Sequence, residues 1–361
     1  MVTRRTVLGL GTALVAAPRF VWAGGILATD VLGNAISLPK APERIILLDA
    51  TDLLTMAALL PDPGARVVGM ASAARLDLGP LTPKFVGQIP EVGQLSPDTV
   101  SVEGIIGLKP DLVVASAYML PPEGSLLVQH LQAAGIPVAW TSGHDGALPA
   151  AEQLTRAMSF WGAVLQRQDR AAELTRFGLS RLDAVRACAQ GADRPRVYME
   201  IMSTFDDCCW SAGRAFWGDL IGRAGGDLIA SSDGWSAKLS TEGLLAQQPQ
   251  VYVATGAGFA PDMQPGIGPG LDPAKGREGL LRAAMRPAIA GSTALRDGRV
   301  HGIWSGLITS PLLVPVLAEC LGKWLQPGSC AALDPEKTLA ALNAYLTHPL
   351  PGPLWLSLGD D

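Results

Sequence analysis

The sequence predicts an α/β protein of two Rossmann-like lobes, each on a parallel sheet, joined by a rigid helical spine with a ligand cleft between the lobes. Three observations carry this. The stretch from Ser101 to Ser116 lies over the stretch from Ser240 to Thr255, 139 positions later, matching Ser101 with Ser240, Glu103 with Glu242, Gly104 with Gly243, Pro110 with Pro249 and the apolar runs that follow. On both sides of that repeat, apolar runs of strand length alternate with helical stretches, the pattern of a parallel sheet with crossover helices. Between the two copies, residues 150–189 contain no proline and hold apolar residues at helical spacing.

Each copy of the repeat reads as a short helix with Ser and an acid in its first turn, a proline stop, then a buried strand ending in a hydroxyl residue. Arg44 to Leu48 and Arg196 to Glu200 open the two lobes as β-rich runs after a Pro-containing turn. Gly135 to Trp140 and Gly298 to Trp304 give each lobe a later strand ending in Trp. Leu154, Met158, Trp161 and Leu165, then Leu174, Phe177, Leu182 and Val185, mark two helices; they form the spine or, in the alternative, crossover helices within one lobe. The expected division is 24–150 for the first lobe, 151–190 for the linker helices and 191–361 for the second lobe. Residues 255–279, rich in Gly and Pro, read as an irregular wall over the cleft.

The N-terminus bears an address. Arg4 and Arg5 precede a weakly apolar run from Gly9 to Ala17, and Val21 and Ala23 place small residues where a signal peptidase reads. Residues 1–23 are expected to be a twin-arginine (Tat) signal peptide cleaved after Ala23, delivering the folded chain to the periplasm. The run is too short to span a bilayer, which needs about 20 apolar residues. Removing it takes away Arg4, Arg5 and Arg19 and leaves 25 basic against 33 acidic residues, a balance that argues against nucleic acid as a partner.

Five cysteines, Cys188, Cys208, Cys209, Cys320 and Cys330, are too few and odd in number for a disulfide framework. Cys208 and Cys209 read as two small buried hydrophobes, with a vicinal disulfide or redox chemistry as alternatives. Pairing of Cys320 with Cys330 across the turn at Gln326 is left open.

Several motifs, in order, resemble the class III periplasmic substrate-binding proteins that serve ABC importers of ferric siderophores, haem and cobalamin. They are Pro42 to Ile46, Val67 to Met70, Val102 to Ser116, Gly218 to Ala230 and Ser240 to Leu245. The resemblance covers nearly all of the chain after residue 23. The closing segment, His301 to Trp304 with Ser310, Pro311 and Lys323 to Pro327, together with Cys208 and Cys209, is similar to an iron-complex branch. This implies a monomeric, non-catalytic carrier with no intrinsic cofactor. It would capture a ferric siderophore and deliver it to the permease dimer of an inner-membrane ABC importer, with haem or cobalamin as alternative cargo. The resemblance further implies that Glu103 and Glu242 dock into arginine pockets on the two permease subunits. A purely local role, complementing a helix dipole at about 0.3–1 kcal/mol, is the competing reading of each.

In α/β sheets ligands sit outside the carboxyl ends of the strands. That rule nominates Asp49, Thr51, Arg75, Ser116, Tyr118, Trp140 and His144 in the first lobe, and Met202, Trp210, Arg214, Trp235, Thr255, His301 and Trp304 in the second. Arginine and aromatic faces suit a bulky iron complex through charge-assisted hydrogen bonds and stacking. Four histidines, His130, His144, His301 and His348, are too few for a bare Zn or Mn site, while Tyr118, His144 or His301 could give haem an axial ligand. Enzyme signatures are near-misses: residues 209–213 lack the first Gly of a nucleophile elbow, and 255–279 lack the Gly-Lys-Ser/Thr end of a phosphate loop. An exported siderophore-processing enzyme acting through Cys208 and Cys209 is the remote alternative.

Overall fold

A computed structural model describes residues 25–94, 97–121, 125–142, 148–206 and 208–359. The expected export signal and His144 lie outside these residues. Fourteen strands are described: β1 (Ile26–Thr29), β2 (Ala35–Leu38), β3 (Ile45–Leu47), β4 (Val67–Ala71), β5 (Glu91–Gly93), β6 (Leu112–Ser116), β7 (Val138–Ser142), β8 (Arg196–Glu200), β9 (Trp210–Ala212), β10 (Asp227–Leu228), β11 (Ser236–Lys238), β12 (Val251–Gly256), β13 (Val300–Trp304) and β14 (Trp355–Ser357). The hairpin β1–β2 alternates buried and exposed residues, turning Ile26, Ala28, Ile36 and Leu38 inward.

The first lobe is a parallel sheet in the order β5-β4-β3-β6-β7. Every residue of β3 and β6 is buried, as expected of strands covered on both faces. The second sheet runs β11-β9-β8-β12-β13-β14, with β10 beside the first residues of β8. Here the expectation of a parallel sheet needs amendment. β8, β10, β12 and β13 are parallel, whereas β9, β11 and β14 join antiparallel. Each of these antiparallel strands is only three residues long, too short to show a period in the sequence. Gly213 ends β9 against the backbone that leads into β11: a Cβ there would fall 1.6 Å from the carbonyl oxygen of Gly234.

Two helices, Ala150–Val164 and Gln168–Cys188, connect the lobes. They pack tightly because Gly178 sits where any Cβ would meet Leu154 Cδ2 at 2.6 Å. One apolar core runs from Ile45, Leu47 and Val114 through Trp161, Leu174 and Val185 to Val197, Tyr252 and Val300. The lobes are thus welded at the back by continuous packing. The other face of the first sheet has a separate core, in which Ile46, Val113 and Ala115 meet Ile105, Val128 and Leu131.

A disulfide reinforces the weld and corrects the expectation from cysteine counting. Cys188, on the last turn of the spine, is bonded to Cys330, with Cα atoms 5.1 Å apart and a sequence separation of 142. Closing so long a loop removes about 5 kcal/mol of unfolded-chain entropy in the loop-closure model. Cys320 is buried and free, so it does not pair with Cys330. Cys208 and Cys209 are bonded to each other rather than standing as two buried thiols.

The duplication extends to individual hydrogen bonds. Ser101 Oγ accepts from Gly104 N–H and Ser240 Oγ from Gly243 N–H, both at 3.0 Å, capping the helices Val102–Gly107 and Thr241–Gln247. Lys109 and Gln248 follow those helices with the same left-handed φ of +46°. Among the described residues no helix is long and apolar enough to cross a membrane.

Candidate functional site: the strand ends between the lobes

The carboxyl ends of β3, β4 and β6 bring three predicted residues together. Arg75, in the short turn Ala73–Leu76 after β4, approaches Asp49 at 3.5 Å, and its guanidinium stands 5.7 Å from the ring centre of Tyr118. Asp49 is buried and also accepts from the hydroxyl of Thr51 at 2.7 Å. Tyr118, just beyond β6, keeps 62% of its surface exposed, and Ser116 beneath it is buried. The cation is therefore half-neutralised from below, and the phenol presents an open face.

Across from it, the second lobe offers sulfur and aromatic groups. Met202 follows β8 and is 43% exposed; Phe259 and Met263, in the irregular segment after β12, are exposed too. Phe205 N–H donates to the Met263 carbonyl at 3.0 Å, joining the two loops into one wall. The irregular part ends earlier than the sequence suggests, because Asp272 caps a regular helix, Pro273–Ala284. Trp210 begins β9 beside Ile201, and Trp235 lies tilted against the buried Trp217 with ring centres 4.9 Å apart. Arg214 is exposed, pairs with Asp233 at 3.3 Å and donates to the Ala230 carbonyl, which ties it to its own loop.

Four nominated residues present no face to a cargo. Trp140 is 5% exposed and gives its indole N–H to the Leu120 carbonyl at 2.7 Å. His301 lies near the amino end of β13, stacks on Trp324 at 4.4 Å and meets Ser357 Oγ at 2.9 Å; burial drives its pKa down to about 3. It is a neutral core histidine, not an axial ligand. Trp304 has no exposure, and its indole N–H goes to Asp77 of the first lobe at 2.9 Å. Thr255 is buried likewise, with its amide held by Ser203 Oγ at 3.0 Å. Strand period fixed these positions but not which end or face each side chain occupies.

Two arrangements escaped sequence reasoning. Asp77 also accepts the Gly258 N–H at 3.0 and 2.9 Å, so one carboxylate from the first lobe is sunk into the strand ends of the second. Burial pushes its pKa up to about 6 against the opposing pull of those hydrogen bonds. The second is a buried cluster under the Met202 loop. Tyr252 donates to Glu200 at 2.6 Å, and Arg286 pairs with Glu200 while donating to the Tyr252 hydroxyl at 2.9 Å and the Thr204 carbonyl at 2.6 Å. Tyr198 stacks on Tyr252 at 5.5 Å, and burial holds both phenols well above their usual pKa. The cluster anchors the loop through Thr204; breaking such a pair costs about 3–5 kcal/mol. Among the described residues no group of His, Cys, Asp or Glu is arranged to hold a metal ion.

Glu103 and Glu242 stand apart from this cleft, exposed in the first turns of their helices at the amino side of β6 and β12. Their placement in the two lobes is equivalent, down to the serine cap.

Comparison with known proteins agrees with this architecture. The periplasmic binding protein family model matches residues 45–305. The TroA-like periplasmic binding protein FepB from Veillonella parvula superposes with a TM-score of 0.78 at 22% identity, covering 92% of this chain and 100% of that one. The molybdate periplasmic binding protein MolA from Haemophilus influenzae gives 0.71 at 18% identity, covering 91% and 99%. An ABC-type Fe3+-hydroxamate transport system structure from Saccharomonospora viridis gives 0.60 at 23% identity, covering 83% and 99%. No curated protein sequence matches the chain. Two lobes on a common spine, and a family match that reaches across both, place this chain in the periplasmic binding protein family, whose members work with ABC permeases.

Proposed function

We propose that the chain carries a ferric siderophore, held between the strand ends of the two lobes, to the permease of an ABC importer. The observation that carries the reading is the character of the opposed faces. Tyr118 on one side and Met202, Phe259 and Met263 on the other are large apolar groups left exposed where a folded chain could have buried them. Arg75 adds a cation, reduced by Asp49, and Arg214 is offset by Asp233. Such a lining suits a bulky complex of low net charge. Iron(III) bound by three hydroxamates is neutral, whereas three catecholates make a trianion that would need unpaired cations. The Fe3+-hydroxamate relative supports the same choice within the family.

Export by the twin-arginine route through Arg4 and Arg5, and docking through Glu103 and Glu242, complete the proposal. Function is by binding and release. The test is titration of the purified protein with a ferric trihydroxamate, the iron-free chelator, a ferric tricatecholate, haemin and cobalamin, read by quenching of tryptophan fluorescence. The ferric trihydroxamate should saturate at the lowest concentration. Saturation by haemin alone, with a Soret band that shifts in Tyr118→Phe, overturns the siderophore reading in favour of haem.

A further inference from the structure

Cys208 is half-buried at the surface, its neighbour Cys209 has no exposure, and the two are bonded to each other. A disulfide stabilises a fold by restricting the unfolded chain, and the effect grows with the loop it closes. Cys188–Cys330 spans a separation of 142 residues, Cys208–Cys209 a separation of 1. The second bond closes no loop, so the reason that accounts for the first does not account for it. What it can govern is local. The pair ends the loop that leaves β8 at its carboxyl end and enters β9. Ile201 N–H donates to the Trp210 carbonyl and Leu239 N–H to the Cys209 carbonyl, both at 2.9 Å. The backbone on either side of the bond therefore holds Met202 and Trp210, two groups on the cleft side of the second lobe.

We propose that Cys208–Cys209 is a thiol–disulfide exchange site, through which a dithiol reductant loosens this wall of the cleft and weakens its hold on cargo. The cargo half rests on the binding reading above; the exchange half does not. A thiolate of the dithiol attacks Cys208 Sγ, on the less buried of the two residues. A bond forms between the two, the Cys208–Cys209 bond breaks, and the electron pair leaves on Cys209 Sγ, which takes a proton. The second thiol of the reductant then gives up its proton, attacks its own partner sulfur in the mixed disulfide and expels the Cys208 thiolate, which is protonated in turn. Two electrons and two protons pass to the protein, and the dithiol becomes a disulfide. An oxidised dithiol reverses each step.

The test uses the mature chain without cargo, treated with graded dithiothreitol, quenched with N-ethylmaleimide and mapped by peptide mass. Cys208 and Cys209 should each take one adduct at about ten-fold less reductant than Cys188 and Cys330 require, with the thermal midpoint unchanged. Reduction should also raise the dissociation constant for a ferric trihydroxamate about ten-fold, reversibly on reoxidation. The Cys208→Ser/Cys209→Ser variant should bind at the reduced value and ignore dithiothreitol, while Cys188→Ser/Cys330→Ser should keep the response. Labelling of Cys208 and Cys209 no earlier than Cys188 and Cys330 overturns the exchange site. Early labelling with unchanged affinity overturns the switch. If neither redox form binds the ferric trihydroxamate, the cargo reading falls and takes the switch with it, whereas the labelling pattern still decides the exchange site.

Discussion

Asp77 of the first lobe accepts the indole N–H of Trp304 in the second at 2.9 Å, across 227 residues of sequence. It takes the Gly258 N–H as well, and Gly79 beside it packs so closely that a Cβ would meet the Pro269 carbonyl oxygen at 2.7 Å. The spine joins the lobes at the back; this tie joins them on the strand-end side. The lobes also meet where Thr347 Oγ1 donates to the Pro61 carbonyl at 2.8 Å and His348 meets Phe85 edge-on at 5.8 Å, but on the strand-end side the restraint on lobe separation rests on the few contacts of Asp77 and Gly79.

Removing the tie should be measurable. Asp77→Ala strips the acceptor from a fully buried indole N–H and from Gly258 N–H, at about 1–3 kcal/mol for each unsatisfied donor. Urea denaturation should show a loss of roughly 3 kcal/mol, and small-angle scattering a larger radius of gyration. Asp77→Asn keeps one carbonyl oxygen and should lose less. An Ala variant with the parent's stability and radius would show that the tie holds nothing.

The same carboxylate and Asp52 make stability depend on pH. Asp52, which accepts from Thr141 Oγ1 at 2.6 Å and Trp161 Nε1 at 3.0 Å, has its pKa raised to about 7, chiefly by burial. Asp77 is raised to about 6, also chiefly by burial. A raised carboxyl pKa means the folded state holds the proton more tightly than the unfolded chain. The stability it contributes is complete below about pH 4 and is lost as pH climbs through 6 for Asp77 and 7 for Asp52. Three pKa units correspond to about 4 kcal/mol. The stability gap between parent and Asp52→Asn should therefore vary by up to that amount between pH 4 and 8. A gap constant across the range would mean that Asp52 does not titrate there.

At the cleft, Tyr118→Ala should weaken cargo binding about ten-fold, the scale of a lost aromatic contact. It should leave the denaturation midpoint unchanged, because the side chain is 62% exposed in the free protein. A parent-like affinity would remove Tyr118 from the binding face.

The repeat was legible because its residues act locally. Serine at a helix start, an acid in the first turn and proline after the stop specify their own geometry, and the fold uses the solution twice. Arg44 donates to the carbonyls of Leu108 and Lys109, and Arg196 to those of Gln247 and Gln248, so each arginine closes the matching helix end of its own lobe. The spine was legible for the same reason, from helical spacing without proline. What escaped depends on distant partners. Nothing near Cys188 announces Cys330, and Glu200 in an apolar run gives no hint of Arg286, 86 residues on. The sequence pattern puts Trp140, Trp304 and His301 on strands, but burial and strand end are settled by layers packed from elsewhere in the chain.

Glu103 and Glu242 offer the sharpest test of carriage. Both are exposed, both follow a serine whose cap is satisfied by the same 3.0 Å bond, and neither touches the strand-end face. Replacing both with Ala forfeits a favourable helix-dipole interaction of about 0.3–1 kcal/mol each, leaving fold and ligand affinity nearly intact. If each carboxylate meets an arginine on one permease subunit, its loss strands that cation at a cost of about 2–5 kcal/mol where the pair is buried. Stimulation of the permease ATPase and uptake by cells should then collapse while binding persists. Reversal to Lys should be worse, and Arg→Glu changes on the permease should restore part of the activity. Normal transport by the double Ala variant would reduce the two residues to helix-end charges, with their symmetry a relic of duplication.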